Sequence, residues 1–117
     1  MVGWMLLDTV RHVQSPADFA ADEAREFGAV LQASMGAVRD ATGMPRVYVV
    51  MFGEGAAHLH AHLIPRDPER ADTKAWAVAD LYRAIERHGA TAATHDEVLR
   101  VTKRVGLAMS RAFTPGP

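Results

Sequence analysis

Cysteine is absent from the 117 residues, which removes disulfides and thiolate metal ligands and permits a reducing compartment. No stretch approaches the roughly 18 consecutive apolar residues of a membrane-spanning helix. The N-terminus, MVGWMLLDTVRHV, lacks a basic head followed by a long apolar run, so it reads as neither signal peptide nor anchor. Excess charge is missing too. The formal net charge is -1 at pH 7, which gives no broad pull toward nucleic acid or an anionic membrane. Internal repeats and low-complexity tracts are also lacking. These absences predict one cytoplasmic domain over residues 1–117, with no nucleic-acid or membrane partner.

What is present is an ordinary globular balance of 49% hydrophobic and 23% charged residues. GWMLLDTV (3–10) is short and apolar and predicts a buried strand. Ser15, Pro16 and Asp18 form a helix-start pattern of hydroxyl cap, first-turn proline and returning acid, and Asp22 offers a restart. From there Phe27, Val30, Leu31, Ser34, Met35 and Val38 follow helical spacing up to Gly43 and Pro45. RVYVVMF (46–52) predicts a strand, GEGAA a hairpin loop, and HLHAHLIP (58–65) its antiparallel partner, ended by Pro65. A further helix is expected from Asp72 or Thr73 to about Arg87. Its inner side would be Trp76, Ala79, Leu81 (or Tyr82) and Ile85, with Gly89 as its stop. Thr94 and Glu97 form a capping box ahead of a last helix lined by Val98, Val101, Val105, Met109 and Phe113. The expected fold class is α+β, a small antiparallel sheet packed with helices.

The chemistry concentrates in HLHAH. On a strand, alternate side chains share a face, so His58, His60 and His62 would stand in a row backed by Leu59, Ala61 and Leu63. Three of the chain's six histidines lie in this one stretch, which weighs against a merely solvated strand face. Two chemical readings remain. Three imidazoles can hold a metal ion, with Glu54 or Asp67 orienting one of them, although no second ligand-like cluster accompanies them. Alternatively, a neutral imidazole can attack phosphorus while its neighbours hydrogen-bond the phosphate oxygens. The glycines Gly53 and Gly55 would then let backbone N–H groups turn toward an anion.

HLHAHLI has the form His-φ-His-φ-His-φ-φ, with φ apolar, and resembles the signature of the histidine triad (HIT) superfamily of nucleotide hydrolases and transferases. GWMLLDTVRHV resembles that family's glycine-led strand ending in a histidine, and the resemblance spans residues 3 to 66. Residues 67–117 are then a helical C-terminal extension. The resemblance implies that His60 attacks the α-phosphorus of a nucleotide to form a nucleotidyl-histidine intermediate, which water resolves. It also implies that His58 and His62 orient the nucleophile and contact phosphate and leaving group, and that His12 supports the cluster. Gly53 and Gly55 would contact substrate. No metal or cofactor is implied; the implied partners are a nucleotide and a second copy of the chain in a homodimer. The chain begins almost at the glycine-led strand and carries Met51, Phe52, Gly55, Ala56 and Ala57 where relatives often have polar residues. Altered nucleotide recognition is therefore expected. A nucleotide- or phosphate-binding relative with little turnover is the alternative function, and a His-ligated metal enzyme the next.

His88 is expected to cap a helix C-terminus, and His95 to be structural or exposed. Trp4 and Trp76 read as core or interface residues, and Arg66 as either a phosphate contact or a solvated charge, the second slightly favoured.

Overall fold

A computed structural model describes residues 1–53 and 55–114 of the chain. Strands β1 (Met5–Asp8), β2 (Arg46–Val50) and β3 (His60–Arg66) form an antiparallel sheet in the order β1-β3-β2. Helices α1 (Ala21–Thr42), α2 (Ala77–Glu86) and α3 (His95–Phe113) complete an α+β architecture. Register explains which side of the sheet is which. Met5 and Val49 both pair with Leu63, so the odd-numbered residues form one apolar face. α1 and α3 cover that face, with Val38, Val47 and Leu63 buried at its centre and Leu31, Met35 and Val105 packed around them. The opposite face carries Leu6, Asp8, Tyr48, Val50, His60, His62 and Ile64.

Local chemistry sets the helix ends. Ser15 and Asp18 close their reciprocal cap, but around a short turn of tight helix at Pro16–Asp18; α1 starts afterwards, at Ala21. Gly43 ends α1 in the left-handed conformation, φ 72°, with its N–H donating to the Arg39 carbonyl. At α3 the Thr94 and Glu97 box forms as expected. Val101 is buried beneath that helix, whereas Val98 and Phe113 are exposed.

Four expectations need correction. β3 begins at His60 rather than His58, so only His60 and His62 of the triad are placed on one face by strand alternation. It also runs through Pro65 to Arg66. β1 stops pairing at Leu63, so a proline lacking N–H sits where the strand is paired on one side only. α2 begins at Ala77 because Ala71–Thr73 close a separate tight turn that buries Thr73. The buried residues of α2 are consequently Val78 and Leu81, and Trp76 is 91% exposed. Finally, α2 ends at Glu86, three residues before the glycine: His88 and not Gly89 takes the left-handed conformation, φ 58°, and Gly89 N–H reaches back to the Ala84 carbonyl. Among the described residues no helix is long and apolar enough to cross a membrane.

Candidate active site

The even face of β3 presents His60 and His62, with ring centroids 5.3 Å apart and the rings edge to face. Asp8 lies opposite His60 in the register and Leu6 opposite His62. Beyond Asp8 the pairing jumps: Leu59 N–H donates to the Val13 carbonyl at 2.7 Å, so residues 9–12 bulge out of the ladder. Val13 and Leu59 are both buried and pin the base of that bulge. His12 is thereby carried back against His58, ring centroids 5.1 Å apart. All four expected histidines meet at one end of the sheet.

Hydrogen bonds decide which ring nitrogens are available. His60 Nδ1 lies 2.9 Å from the His58 carbonyl. A carbonyl only accepts, so Nδ1 carries the proton and the lone pair of neutral His60 is on Nε2. His58 Nε2 donates in the same way to the Thr9 carbonyl at 2.9 Å. That leaves His58 Nδ1 as an acceptor, matched by His12 Nδ1–H at 3.0 Å. Both ring nitrogens of His58 are thus committed. His58 orients the His60 ring through its main chain, while its side chain ties down the 9–12 bulge, a different division of labour from a row of equivalent imidazoles. On the other flank, Trp4 Nε1–H donates to His62 Nδ1 at 3.0 Å, so neutral His62 carries its proton on Nε2.

The bulge has its own clamp, built from residues the sequence reading did not single out. Arg11 makes a two-pronged pair with Glu23 of α1 at 2.7 and 2.6 Å and donates to the Asp18 carbonyl. The Arg11 bond, then the Ala20 N–H, pull the Glu23 carboxyl from 4.5 down to about 2. The clamp therefore persists as pH falls through 4.5 and is lost only near 2.

Burial lowers the pKa of His62 from 6.5; the charge of His60 adds to this and that of Asp8 opposes it. The Trp4 bond acts in the same direction, because it needs an unprotonated Nδ1. A histidine lowered in the folded state is protonated first in the unfolded chain, so stability falls as pH drops below 6.5. In Trp4→Phe the His62 pKa, followed by NMR of its ring protons, is expected to rise toward the ordinary value. The acid-side loss of Tm should shrink with it; an unchanged titration would show that the indole does not set this tautomer.

A groove of about 530 Å³ opens between this face and α2, and both His60 and His62 line it. Trp4 forms part of its wall and packs against Tyr82 of α2, ring centroids 5.3 Å apart. A smaller cleft of about 160 Å³ beside it is lined by His58, His60, Ser15 and Gly53. Among the described residues the glycines of positive φ are Gly3 and Gly43, so Gly53 itself does not take the left-handed conformation of an anion nest. Gly55 has open space around it. Arg66 donates to the Arg70 carbonyl and the Thr73 hydroxyl; it pins the following loop and is not a free surface charge.

For the metal reading, Asp67 caps a local turn through the Glu69 N–H, and Glu54 lies outside the described residues. Among the described residues no three His, Asp or Glu side chains stand in a metal-holding group. Compared with known proteins, the chain matches no protein-family model and no curated sequence.

Proposed function

We propose that the chain is a HIT-like nucleotide hydrolase or transferase acting at an α-phosphate through His60. One observation carries this reading: the His58 carbonyl holds His60 Nδ1–H, which leaves Nε2 as the free lone pair, and His60 lines an open groove. In the first step Nε2 bonds to phosphorus while the bond to the leaving group breaks, and that group departs with the electron pair. His62 Nε2–H lies on the same face and can hydrogen-bond a phosphate oxygen or the leaving atom. Water then attacks phosphorus, the P–N bond breaks, the pair returns to His60, and the proton the attacking water gives up to solvent balances the one the departed group takes from it.

A second reading has an observation of its own. His12 and His58 are hydrogen-bonded to each other, which leaves only His60 and His62 of the four histidines lining the groove. That arrangement also suits a relative that holds a nucleotide and turns it over little.

The test is rapid quenching of the protein mixed with adenosine 5′-phosphoramidate, followed by peptide mass spectrometry at neutral to basic pH. An adenylyl adduct on His60 is expected during turnover. Turnover with His60 never modified would indicate direct attack by water and end the nucleophile assignment. An adduct that forms and persists without release would favour the second reading.

A further inference from the structure

The groove beside His60 has an unusual lining. Both tryptophans and both tyrosines of the chain lie on it, Trp4, Trp76, Tyr48 and Tyr82, together with Phe52. Phe52, Trp76 and Tyr82 are each more than half exposed at 60, 91 and 52%, so these rings are presented to solvent around the mouth and not spent on the core. Among the described residues none of those lining it is Asp, Glu, Asn, Gln, Ser, Thr or Lys. Its one charged residue besides the histidines, Arg83, is already paired with Asp80 at 2.9 Å.

From this we infer that the groove seats the flat aromatic group of a phosphate ester or amidate, and recognises it by stacking alone. The inference rests on the proposed role of His60, which fixes where the phosphorus sits. Every base offers a π face, so aromatic walls hold bases without telling them apart. Discrimination between bases needs fixed donors and acceptors that would be left unpaired by the wrong one. Here the polar atoms on the aromatic walls are phenolic hydroxyls, which rotate and both donate and accept, and indole N–H groups, of which Trp4's is held by His62. Among the described residues no side-chain carboxylate or amide lines the groove to take a ribose diol. The volume of about 530 Å³ suits a ligand of nucleotide size. The substrate class is therefore nucleoside or simple aryl phosphoric derivatives, chosen by ring area and not by base identity. α2 supplies Trp76 and Tyr82, so the C-terminal part of the chain furnishes the seat.

Because both tryptophans line the groove, intrinsic fluorescence reports occupancy directly. Wild-type protein would be titrated with AMP, GMP, 1-naphthyl phosphate and ribose 5-phosphate, phosphate monoesters that carry no amidate or anhydride leaving group at phosphorus. AMP, GMP and naphthyl phosphate should bind within about threefold of one another, and ribose 5-phosphate about tenfold or more weakly. Trp76→Ala should weaken AMP by about tenfold and Trp76→Phe by much less; the Trp76 side chain is almost wholly exposed and makes no cap bond, so folding is not at stake. Selectivity of AMP over GMP beyond about tenfold would overturn the inference, as would equal binding of ribose 5-phosphate, or no quenching by any probe. Trp76→Ala that disrupts a dimer and leaves AMP affinity unchanged would overturn it too, assigning the rings to self-association. The two readings separate cleanly: base-blind binding without a His60 adduct retires the catalytic proposal alone, and an adduct with strict base selectivity retires this one alone.

Discussion

His60→Ala is expected to lower kcat/KM on a phosphoramidate by about ten thousand-fold or more, with the melting temperature nearly unchanged. The size follows from what is lost. No other described histidine has a lone pair placed as His60 Nε2 is. His58 spends both nitrogens, on Thr9 and His12, and His62 presents a proton and not a lone pair at Nε2. His12 keeps a lone pair on Nε2 but lines neither the groove nor the cleft beside it, so no neighbour is placed to stand in and the remaining route is unassisted attack by water. His60 is half-buried at the groove wall, so truncation enlarges a space already open to solvent and costs little stability. His62→Asn should cost much less, about a hundredfold, because it would remove a hydrogen bond to the reacting group and leave the proposed nucleophile in place. Free imidazole should restore part of the rate to His60→Gly. Failure of that rescue alongside an unmodified His60 in the wild type would count against covalent catalysis. Full activity in His60→Ala would remove the proposal outright.

The site was partly legible in the sequence, and the reason lies in how each residue is placed. Alternation sufficed for His60 and His62, because both belong to one strand. His12 was reachable only through its resemblance to a family position; nothing in local spacing shows that residues 9–12 bulge while Val13 re-engages Leu59. Trp4 and Asp8 share strand parity with Leu6. They fall on the histidine face only once β1 is known to pair with β3 in the register Asp8 to His60. Arg11 and Glu23 are separated by a bulge and a tight turn, and such a clamp leaves no periodic trace.

Element types were readable where hydrophobic period, cap and stop agreed, as in α1 and α3. α2 was misplaced because its apparent cap, Asp72 or Thr73, is used by another structure. Thr73 is fully buried and its hydroxyl accepts from Arg66 and donates toward the Asp67 or Arg70 carbonyl. A threonine that looks like a helix start is there a buried loop staple, and the apolar stripe behind it rotates. Trp76 moves from the expected core to the mouth of the groove for the same reason. The groove that carries the recognition proposal was thus invisible from spacing alone.

Gly3→Ala is expected to destabilise the fold by about 3 kcal/mol, lowering Tm by roughly 10–15 °C. Gly3 leads into β1 at φ 86°, a conformation that costs an alanine about 1–2 kcal/mol. Its surroundings supply the rest. An added Cβ would collide with Thr42 Cγ2 at the end of α1 and would stand 3.3 Å from Pro65 Cγ of β3. Neither neighbour can yield easily. Thr42 is held in its rotamer by donating to the Val38 carbonyl at 2.7 Å, and the Pro65 ring is fully buried. Gly43 is the internal control, since it also has positive φ, 72°, but a Cβ there meets nothing within 4 Å. Gly43→Ala should therefore show the backbone cost alone, about 1 kcal/mol. Urea unfolding of the two variants separates the terms, and equal losses would mean that the contact with Thr42 is not tight. The adjacent residue ties this to the site: a displaced Gly3 moves Trp4, whose indole holds His62. Whatever Gly3→Ala protein remains folded should show His62 titrating closer to its ordinary value, so one methyl group at the start of β1 would be felt at the histidine face.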